Sequence, residues 1–163
     1  ELVKRFAGFH RQSYACKTGV GDVLIGAAAL CAQYNGVEEA SHIRDKLTEM
    51  VHLNETLFCC SLACSAKGFR REAGNYEMDM LLANVNKQNV TRFPYEIGRL
   101  AEDIAGGIIC TMPSQADFDN PEIGSLVKKY LSTCDGVSPE DRYKLLRFLE
   151  NISMGVASLS YRT

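Results

Sequence analysis

The fold of this chain depends most on the stretch Phe9-His10-Arg11-Gln12-Ser13-Tyr14-Ala15-Cys16-Lys17-Thr18-Gly19, which leads directly into the apolar residues 20–32. Together they predict one long helix over residues 2–34, because Asn35-Gly36 is a typical helix stop. Two glycines within residues 18–21 predict an interruption there. We expect the rest of the chain to be organised around this helix.

Four chemically different side chains lie close together in this stretch: an imidazole, a phenol, a thiol and an ammonium. At helical spacing His10, Tyr14 and Lys17 are at i, i+4 and i+7, so they project from one face. Imidazole transfers protons near neutral pH and binds metals, and a thiolate binds iron or zinc strongly. His10 and Cys16 could therefore share one metal centre. The alternative is a satisfied core histidine and a cysteine that acts as a small apolar residue.

Size and composition indicate a single domain. A chain of 163 residues can bury about 70% of its unfolded surface, and 46% hydrophobic residues are enough for a core. The net charge of −2 and the scattered basic residues argue against nucleic acid or an anionic membrane as a partner. The apolar run of residues 23–32 is too short to span a bilayer. Seven cysteines, an odd number, predict reduced thiols and a cytoplasmic protein.

The remaining segments are predominantly helical in pattern. Apolar residues recurring at three and four predict a core-facing helix over residues 37–68. Residues 69–92 are broken by Gly74 and four asparagines, so only residues 77–85 are expected to form a short helix. A third main helix is predicted from Pro94 to Pro113. It contains two adjacent glycines, for which tight helix packing is the simplest explanation.

In the last third of the chain, the pattern predicts a short helix over residues 123–131. The clearest helix start of the sequence follows it. Ser138 is placed as the N-cap, Pro139 at the first helical position and Asp141 as the capping-box acid. The apolar stripe of this last helix continues to Leu159. No alternating strand pattern or repeat is present in the sequence. We predict an all-α fold, an antiparallel bundle of four main helices, in one domain over residues 1–163.

Other candidate sites have weaker support. Cys60 and Cys64 face one way at i and i+4 and could hold a metal, but together with Cys59 they lie among apolar residues, which favours packing. His42 and His52 have no thiol or carboxylate cluster around them, so solvent exposure or packing is expected. No Walker loop, dinucleotide fingerprint or nucleophile elbow is present in the sequence, so a nucleotide site confined to this chain has no support.

Several runs carry a resemblance to a known family. They are the run from His10 to Lys17, Gly19-Val20-Gly21-Asp22-Val23-Leu24-Ile25-Gly26-Ala27-Ala28, Asn54-Glu55-Thr56-Leu57 and Arg99-Leu100-Ala101-Glu102-Asp103-Ile104-Ala105-Gly106-Gly107. The chain resembles the C-terminal part of the 4-hydroxybutyryl-CoA dehydratases, a branch of the flavin-dependent 4-hydroxyphenylacetate 3-hydroxylase family. The resemblance implies a fold like the C-terminal domain of acyl-CoA dehydrogenases. It also implies that the chain is a piece of a longer enzyme, consistent with its start at Glu1 and its end inside an apparent helix.

The resemblance implies two cofactors, FAD and a 4Fe-4S cluster held by three cysteines and one histidine. His10 would be the histidine ligand and the base for the alpha proton, and Cys16 one thiolate ligand, the others lying outside this chain. Tyr14 and Lys17 would polarise or orient the substrate. The glycine pair Gly106 and Gly107 would lie against the FAD of an adjoining subunit in a homotetramer, and the substrate would be an acyl-CoA.

One feature departs from the family pattern. The family is expected to have Tyr-Gly-Gly-Cys, with histidine and cysteine seven apart, whereas Tyr14-Ala15-Cys16 leaves His10 and Cys16 six apart. On a regular helix seven residues return to within about 20°, but six leave the two side chains about 120° apart. Three interpretations follow: an irregular backbone, an altered cluster site, or no cluster.

Three functions are therefore open. The first is the C-terminal domain of an enzyme that dehydrates 4-hydroxybutyryl-CoA to crotonyl-CoA and isomerises vinylacetyl-CoA, with the isolated fragment inactive. The second is a domain of a flavin-dependent aromatic hydroxylase of the 4-hydroxyphenylacetate 3-monooxygenase type, which needs no cluster. The third is a non-catalytic oligomerisation bundle with a structural polar cluster.

Overall fold

The computed structural model describes residues 2–162, so Glu1 and Thr163 lie outside the described residues. Helices and strands follow one another in this order: α1 Leu2–Ser13, a 3-10 segment Tyr14–Cys16, α2 Lys17–Tyr34, α3 Ser41–Ala66, β1 Phe69–Arg70, β2 Tyr76–Glu77, α4 Met80–Val90, α5 Phe93–Ala105, a 3-10 segment Gly107–Cys110, α6 Gln115–Phe118, α7 Gly124–Leu131, α8 Pro139–Ser153 and α9 Ser158–Arg162. The sequence predicts that the chain stops inside a helix, at Tyr161-Arg162-Thr163. Tyr161 and Arg162 lie in α9, and Thr163 lies outside the described residues.

Four helices, α2, α3, α5 and α8, pack around the main core. Each contributes fully buried side chains, among them Leu24, Ala28, Met50, Ile97 and Leu146. Burying a leucine, isoleucine or methionine side chain stabilises the fold by about 1.5–3 kcal/mol. The alanines on the buried face of α2 leave room for its three neighbours. The predicted all-α bundle is confirmed.

The first helix is interrupted, but not where the sequence predicted. The break is the 3-10 segment Tyr14–Cys16, whereas residues 18–21 continue as regular α2. Two hydroxyls donate to carbonyls three residues back on either side of the break, Ser13 to His10 at 2.6 Å and Thr18 to Ala15 at 2.7 Å. Such i to i−3 bonds fit the tighter winding of a 3-10 helix.

A close approach between α2 and α3 explains one glycine. The Asn54 side chain of α3 is 2% exposed, and its Nδ2 donates to the Thr18 carbonyl at 3.1 Å and to Asp22 Oδ1 at 2.7 Å. A Cβ at position 21 would lie only 2.1 Å from Asn54 Oδ1. Gly21 is therefore needed for Asn54 to reach the α2 backbone.

The α3 helix begins four residues later than predicted and is less completely core-facing. Ile43, Met50 and Leu57 are buried as expected. Phe58 and Leu62 belong to the same apolar pattern of this predicted core-facing helix, but they are exposed. The apolar stripe of α3 is therefore wider than the part of α3 that packs against the other helices.

Residues 69–90 form a hairpin and a helix α4 that the sequence patterns did not fully predict. Strands β1 and β2, of two residues each, pair antiparallel around a turn in which Gly74 has φ +87°, and no alternating pattern in the sequence predicted them. Asp79 caps α4 by accepting from the Leu82 N–H at 2.8 Å, and α4 extends to Val90 rather than residue 85. Asn86 lies inside this helix, fully buried, and accepts from the Ser61 hydroxyl at 3.1 Å. Buried tertiary contacts override its weak helix propensity.

Two predicted helix ends were also wrong. Helix α5 ends at Ala105 because Gly106 adopts φ +79°, so Gly106 and Gly107 lie after the helix rather than inside it. Ser138 and Pro139 start α8 as predicted, with the Asp141 N–H donating to the Ser138 hydroxyl. That helix ends at Ser153, and the predicted stripe continues only in the separate α9.

The helical run of residues 2–34 is long and apolar enough to cross a membrane by length and composition, which the apolar residues 23–32 alone did not predict. A core helix of a globular domain passes the same test. Leu24, Ala28 and Ala32 of α2 are fully buried in the bundle. Core packing accounts for the apolar residues on one face of α2, whereas Val23 and Leu30 on the same helix are exposed.

Gly21→Ala is expected to lower the free energy of unfolding by about 1–3 kcal/mol, because the added methyl group displaces Asn54 from its two buried hydrogen bonds. Gly26→Ala is the matched control, since Gly26 lies in the same helix with no atom of the described chain within 4 Å of an added Cβ. It should leave stability unchanged or raise it by up to about 1 kcal/mol. Denaturant unfolding followed by circular dichroism measures both. Equal effects of the two substitutions would contradict the close-approach explanation.

Candidate functional site

The polar stretch lies where α1 meets α2, and the structure brings His10 and Tyr14 together. The Tyr14 hydroxyl is 3.2 Å from His10 Nε2, and the tautomer of the imidazole decides which group donates. The two rings meet edge to face with centroids 5.2 Å apart, and Phe6 stacks on the other side of the imidazole at 6.0 Å. His10 is exposed, so its ring is held by these aromatic contacts while remaining accessible.

The 3-10 segment changes the relation between His10 and Cys16. A 3-10 helix turns about 120° per residue instead of about 100°. Three such residues between His10 and Cys16 reduce the angular offset from about 120° to about 60°. The backbone is therefore irregular at this point, and the irregularity partly compensates for the shorter spacing. Cys16 is exposed, as a metal ligand shared with another part of a protein would have to be.

Lys17 is the most unusual group of the site. The residue is only 5% exposed, and its Nζ has no hydrogen-bond partner among residues 2–162. The Nζ lies 4.9 Å from the centroid of the Tyr14 ring. Burial, and then the charge of Lys87, lower the pKa of the Lys17 ammonium below its ordinary value. A buried, unpaired ammonium is costly to keep, which is typical of functional sites.

Lys87 is a member of this site that the sequence analysis missed. It lies on α4, and its Nζ is 3.7 Å from the centroid of the Tyr14 ring. Two ammonium groups thus lie over one phenol ring, where each gains a cation–π attraction. No periodic pattern predicted a helix beyond residue 85, so nothing in the sequence pointed to position 87. Its role depends on the packing of α4 against α1 and the 3-10 segment.

The glycine pair is open to its surroundings. A Cβ added at Gly106 or Gly107 would have no neighbour within 4 Å among the described residues. Tight packing against another helix of this chain therefore does not explain either glycine. Gly106 is explained by its positive φ, and Gly107 leaves a surface that another molecule can approach closely.

Within residues 2–162, no group of three or more histidine, cysteine, aspartate or glutamate side chains could hold a metal ion. Cys60 and Cys64 instead donate to backbone carbonyls, of Leu82 at 3.8 Å and of Asp79 at 3.3 Å. Burial raises the pKa of both thiols, so they remain protonated packing groups. His42 and His52 are exposed, as expected. His10 and Cys16 could contribute only two ligands to a larger set.

Comparison with known proteins identifies relatives along the whole chain. The profile of the HpaB family, "4-hydroxyphenylacetate 3-hydroxylase C terminal", matches residues 1–163. A 4-hydroxybutyryl-CoA dehydratase/vinylacetyl-CoA-Delta-isomerase from Clostridium aminobutyricum is 59% identical over 171 aligned positions, covering 99% of this chain and 35% of that protein. The oxygenase component of 4-hydroxyphenylacetate 3-monooxygenase from Thermus thermophilus is 22% identical, covering 88% of this chain and 29% of that protein.

Solved structures show the same relation. An oxygen-tolerant archaeal 4-hydroxybutyryl-CoA dehydratase from N. maritimus superposes with a TM-score of 0.95 at 56% identity, over 98% of this chain and 32% of that one. The HpaB oxygenase component complexed with FAD superposes with a TM-score of 0.81 at 22% identity, over 93% of this chain and 32% of that one. The chain spans about a third of the length of these relatives.

Lys17→Met is expected to raise the free energy of unfolding by about 1–3 kcal/mol, because it replaces a buried, unpaired ammonium by an apolar side chain of similar length. The lowered pKa of Lys17 means that the unfolded chain binds this proton more tightly. The gain should therefore be largest near neutral pH and fade as the pH rises towards the ordinary lysine value of about 10.4. Thermal unfolding at several pH values measures it.

Lys129→Met is the matched control, since Lys129 is exposed and its ammonium lies at a distance of 5.9 Å from the centroid of the Tyr130 ring. It should change stability by less than about 0.5 kcal/mol. Lower stability of Lys17→Met than of the unsubstituted chain would contradict the interpretation that the buried Lys17 ammonium is unpaired.

Proposed function

This chain belongs to the HpaB family of 4-hydroxyphenylacetate 3-hydroxylase C-terminal domains, and we propose that it is the helical C-terminal domain of a dehydratase acting on acyl-CoA. The complete enzyme would convert 4-hydroxybutyryl-CoA to crotonyl-CoA and isomerise vinylacetyl-CoA. The relative at 59% identity, which carries both activities in its name, supports this reaction. The observation in this structure that carries the proposal is the convergence of His10, Tyr14 and Lys17 beside the exposed thiol of Cys16.

A flavin fits the surface at the glycine pair. Gly106 and Gly107 have no side chain and no neighbour of the described chain where a Cβ would stand, so a planar ring could approach the backbone closely. The HpaB structure complexed with FAD supports a flavin in the family fold. We infer that FAD binds at a composite surface to which this chain contributes Gly106 and Gly107, in a homotetramer located in the cytoplasm.

An iron–sulfur cluster fits only as a shared centre. His10 and Cys16 are exposed, have the donor chemistry that iron accepts, and are offset by about 60° after the 3-10 segment. They would hold a 4Fe-4S cluster together with thiolates from outside this chain. When bound, the cluster would supply a Lewis acid for the departing hydroxyl group and the flavin an acceptor for electrons.

The residues of this chain would handle the proton and the orientation of the substrate. The proton alpha to a thioester carbonyl is the acidic one, and the exposed imidazole of His10 can accept it when its nitrogen is not bound to iron. The Tyr14 hydroxyl, 3.2 Å from His10 Nε2, would donate to an oxygen bound beside the imidazole. The positive charge of Lys17, held in low-dielectric surroundings, would stabilise negative charge that develops on the substrate.

Two other functions have less support. A flavin-dependent aromatic hydroxylase is suggested by relatives at 21–24% identity, a level at which the likeness supports the fold. It would not explain the pairing of an exposed histidine and an exposed cysteine around an irregular turn. A purely structural bundle would not explain why an unpaired ammonium is retained in the interior.

The proposal predicts that the full-length protein, reconstituted anaerobically with FAD, iron and sulfide, forms crotonyl-CoA from 4-hydroxybutyryl-CoA. His10→Ala should lower the rate by about 100-fold or more, because it removes the base. His52→Ala, at an exposed histidine of α3, is the control and should retain the full rate. Chromatographic separation of the CoA esters measures the product.

Two outcomes would contradict the dehydratase. Hydroxylation of a phenol with reduced FAD and oxygen, without any crotonyl-CoA, would favour the hydroxylase. Absence of both a flavin and an iron–sulfur absorbance in the reconstituted protein would favour the structural bundle.

A further inference from the structure

A cleft of about 570 Å³ lies between α1 and the hairpin of β1 and β2. Three guanidinium groups line it, those of Arg5, Arg70 and Arg71, against a single carboxylate, that of Glu72. Phe69 and Asn75 complete the polar and aromatic lining. Arginine presents a planar fork of donors that matches phosphate oxygens, so the lining has the chemistry of a phosphate site.

A buried carboxylate fixes two of the three arginines. Glu77 is 6% exposed and forms ion pairs with Arg71 and with Arg5, the latter at 3.8 Å between Nε and Oε2. Holding two long side chains in place before binding reduces the entropy lost when a ligand arrives. The arrangement joins α1 to β2, so the wall of the cleft is built by the fold.

The third arginine and the aromatic ring lie on β1. Arg70 donates from Nε to the Gly74 carbonyl at 3.3 Å, across the turn in which Gly74 has φ +87°. Phe69, the residue before Arg70, is 54% exposed, so its aromatic ring does not pack into the core. An exposed aromatic face beside arginines is suited to stack on a nucleotide base.

We propose that this cleft binds the phosphorylated adenosine end of coenzyme A, an inference that rests on the acyl-CoA dehydratase function. Arg5 and His10 lie on the same helix, five residues or about 7.5 Å apart along its axis. The cleft and the polar site therefore lie along one helix, with Arg5 and His10 about 140° apart around its axis. Coenzyme A carries a pyrophosphate and a 3′-phosphate, whereas FAD carries only a pyrophosphate, so three arginines fit the former better.

Calorimetric titration of the full-length protein with coenzyme A, adenosine 3′,5′-bisphosphate and FAD tests the site. Arg70→Gln is the informative variant, because Arg70 bonds to the Gly74 carbonyl, whereas the ion pairs of the buried Glu77 within the described residues are with Arg5 and Arg71. It should weaken binding of coenzyme A and of the bisphosphate about tenfold or more, as expected for one charged hydrogen-bonding group. FAD binding should stay unchanged, and added salt should reduce the difference.

Arg44→Gln is the matched control, since Arg44 is exposed on α3, far along the chain from the cleft residues, and pairs with the exposed Glu39 at 3.3 Å. It should bind coenzyme A as the unsubstituted protein does. Unchanged affinity of Arg70→Gln for coenzyme A would overturn the assignment. A loss confined to FAD would also overturn it and give the cleft to the flavin. Circular dichroism of Arg70→Gln confirms that the variant is folded.

Kinetics separate this inference from the function on which it rests. With 4-hydroxybutyryl-CoA and 4-hydroxybutyryl-pantetheine as substrates, Arg70→Gln should raise KM only for the CoA ester, because pantetheine lacks the phosphates. Equal KM values of the unsubstituted enzyme for both substrates would overturn the cleft assignment and leave the dehydratase intact. Turnover of neither substrate would overturn the proposed function, while the calorimetric result would still decide the cleft.

Discussion

The contact between Asn54 and Gly21 is the constraint on which the rest of the site depends. Asn54, buried on α3, bonds to the Thr18 carbonyl and to Asp22, and only a glycine at position 21 leaves room for it. This fixes the start of α2 against the core. The 3-10 segment directly before it then sets the direction in which α1 departs, and with it the position of His10. The functional geometry is thus held by a packing contact several residues away.

The sequence predicted what depends on local patterns. Apolar periodicity identified the main helices, and capping chemistry placed the start of α8 at Ser138. It missed what depends on tertiary contacts: the 3-10 segment, the hairpin, and the full length of α4 with the buried Asn86. The His10–Tyr14 pairing followed from i, i+4 spacing, whereas Lys87 reaches Tyr14 from a helix far along the chain. The glycine pair that contains Gly106 stood out in the sequence, but the sequence does not reveal that Gly106 adopts a positive φ.

The candidate site contains an energetically costly group in an otherwise well-packed bundle. Lys17 is buried without a hydrogen-bond partner in the described part of the chain, and Lys87 adds a second positive charge over the same phenol ring. Cation–π contacts offset part of the desolvation. An arrangement that lowers the pKa of an ammonium and destabilises the fold is explained most simply by a negative charge that arrives with the substrate.

The most direct test concerns His10 and Cys16, which can bind one metal centre together only because of the irregular turn between them. The measurement is the iron content per subunit of the full-length protein after anaerobic reconstitution. We expect the iron of one cluster in the unsubstituted protein and in Cys59→Ser, which removes another exposed thiol, and loss of that iron in Cys16→Ser. Equal iron in Cys16→Ser and Cys59→Ser would contradict the shared metal centre.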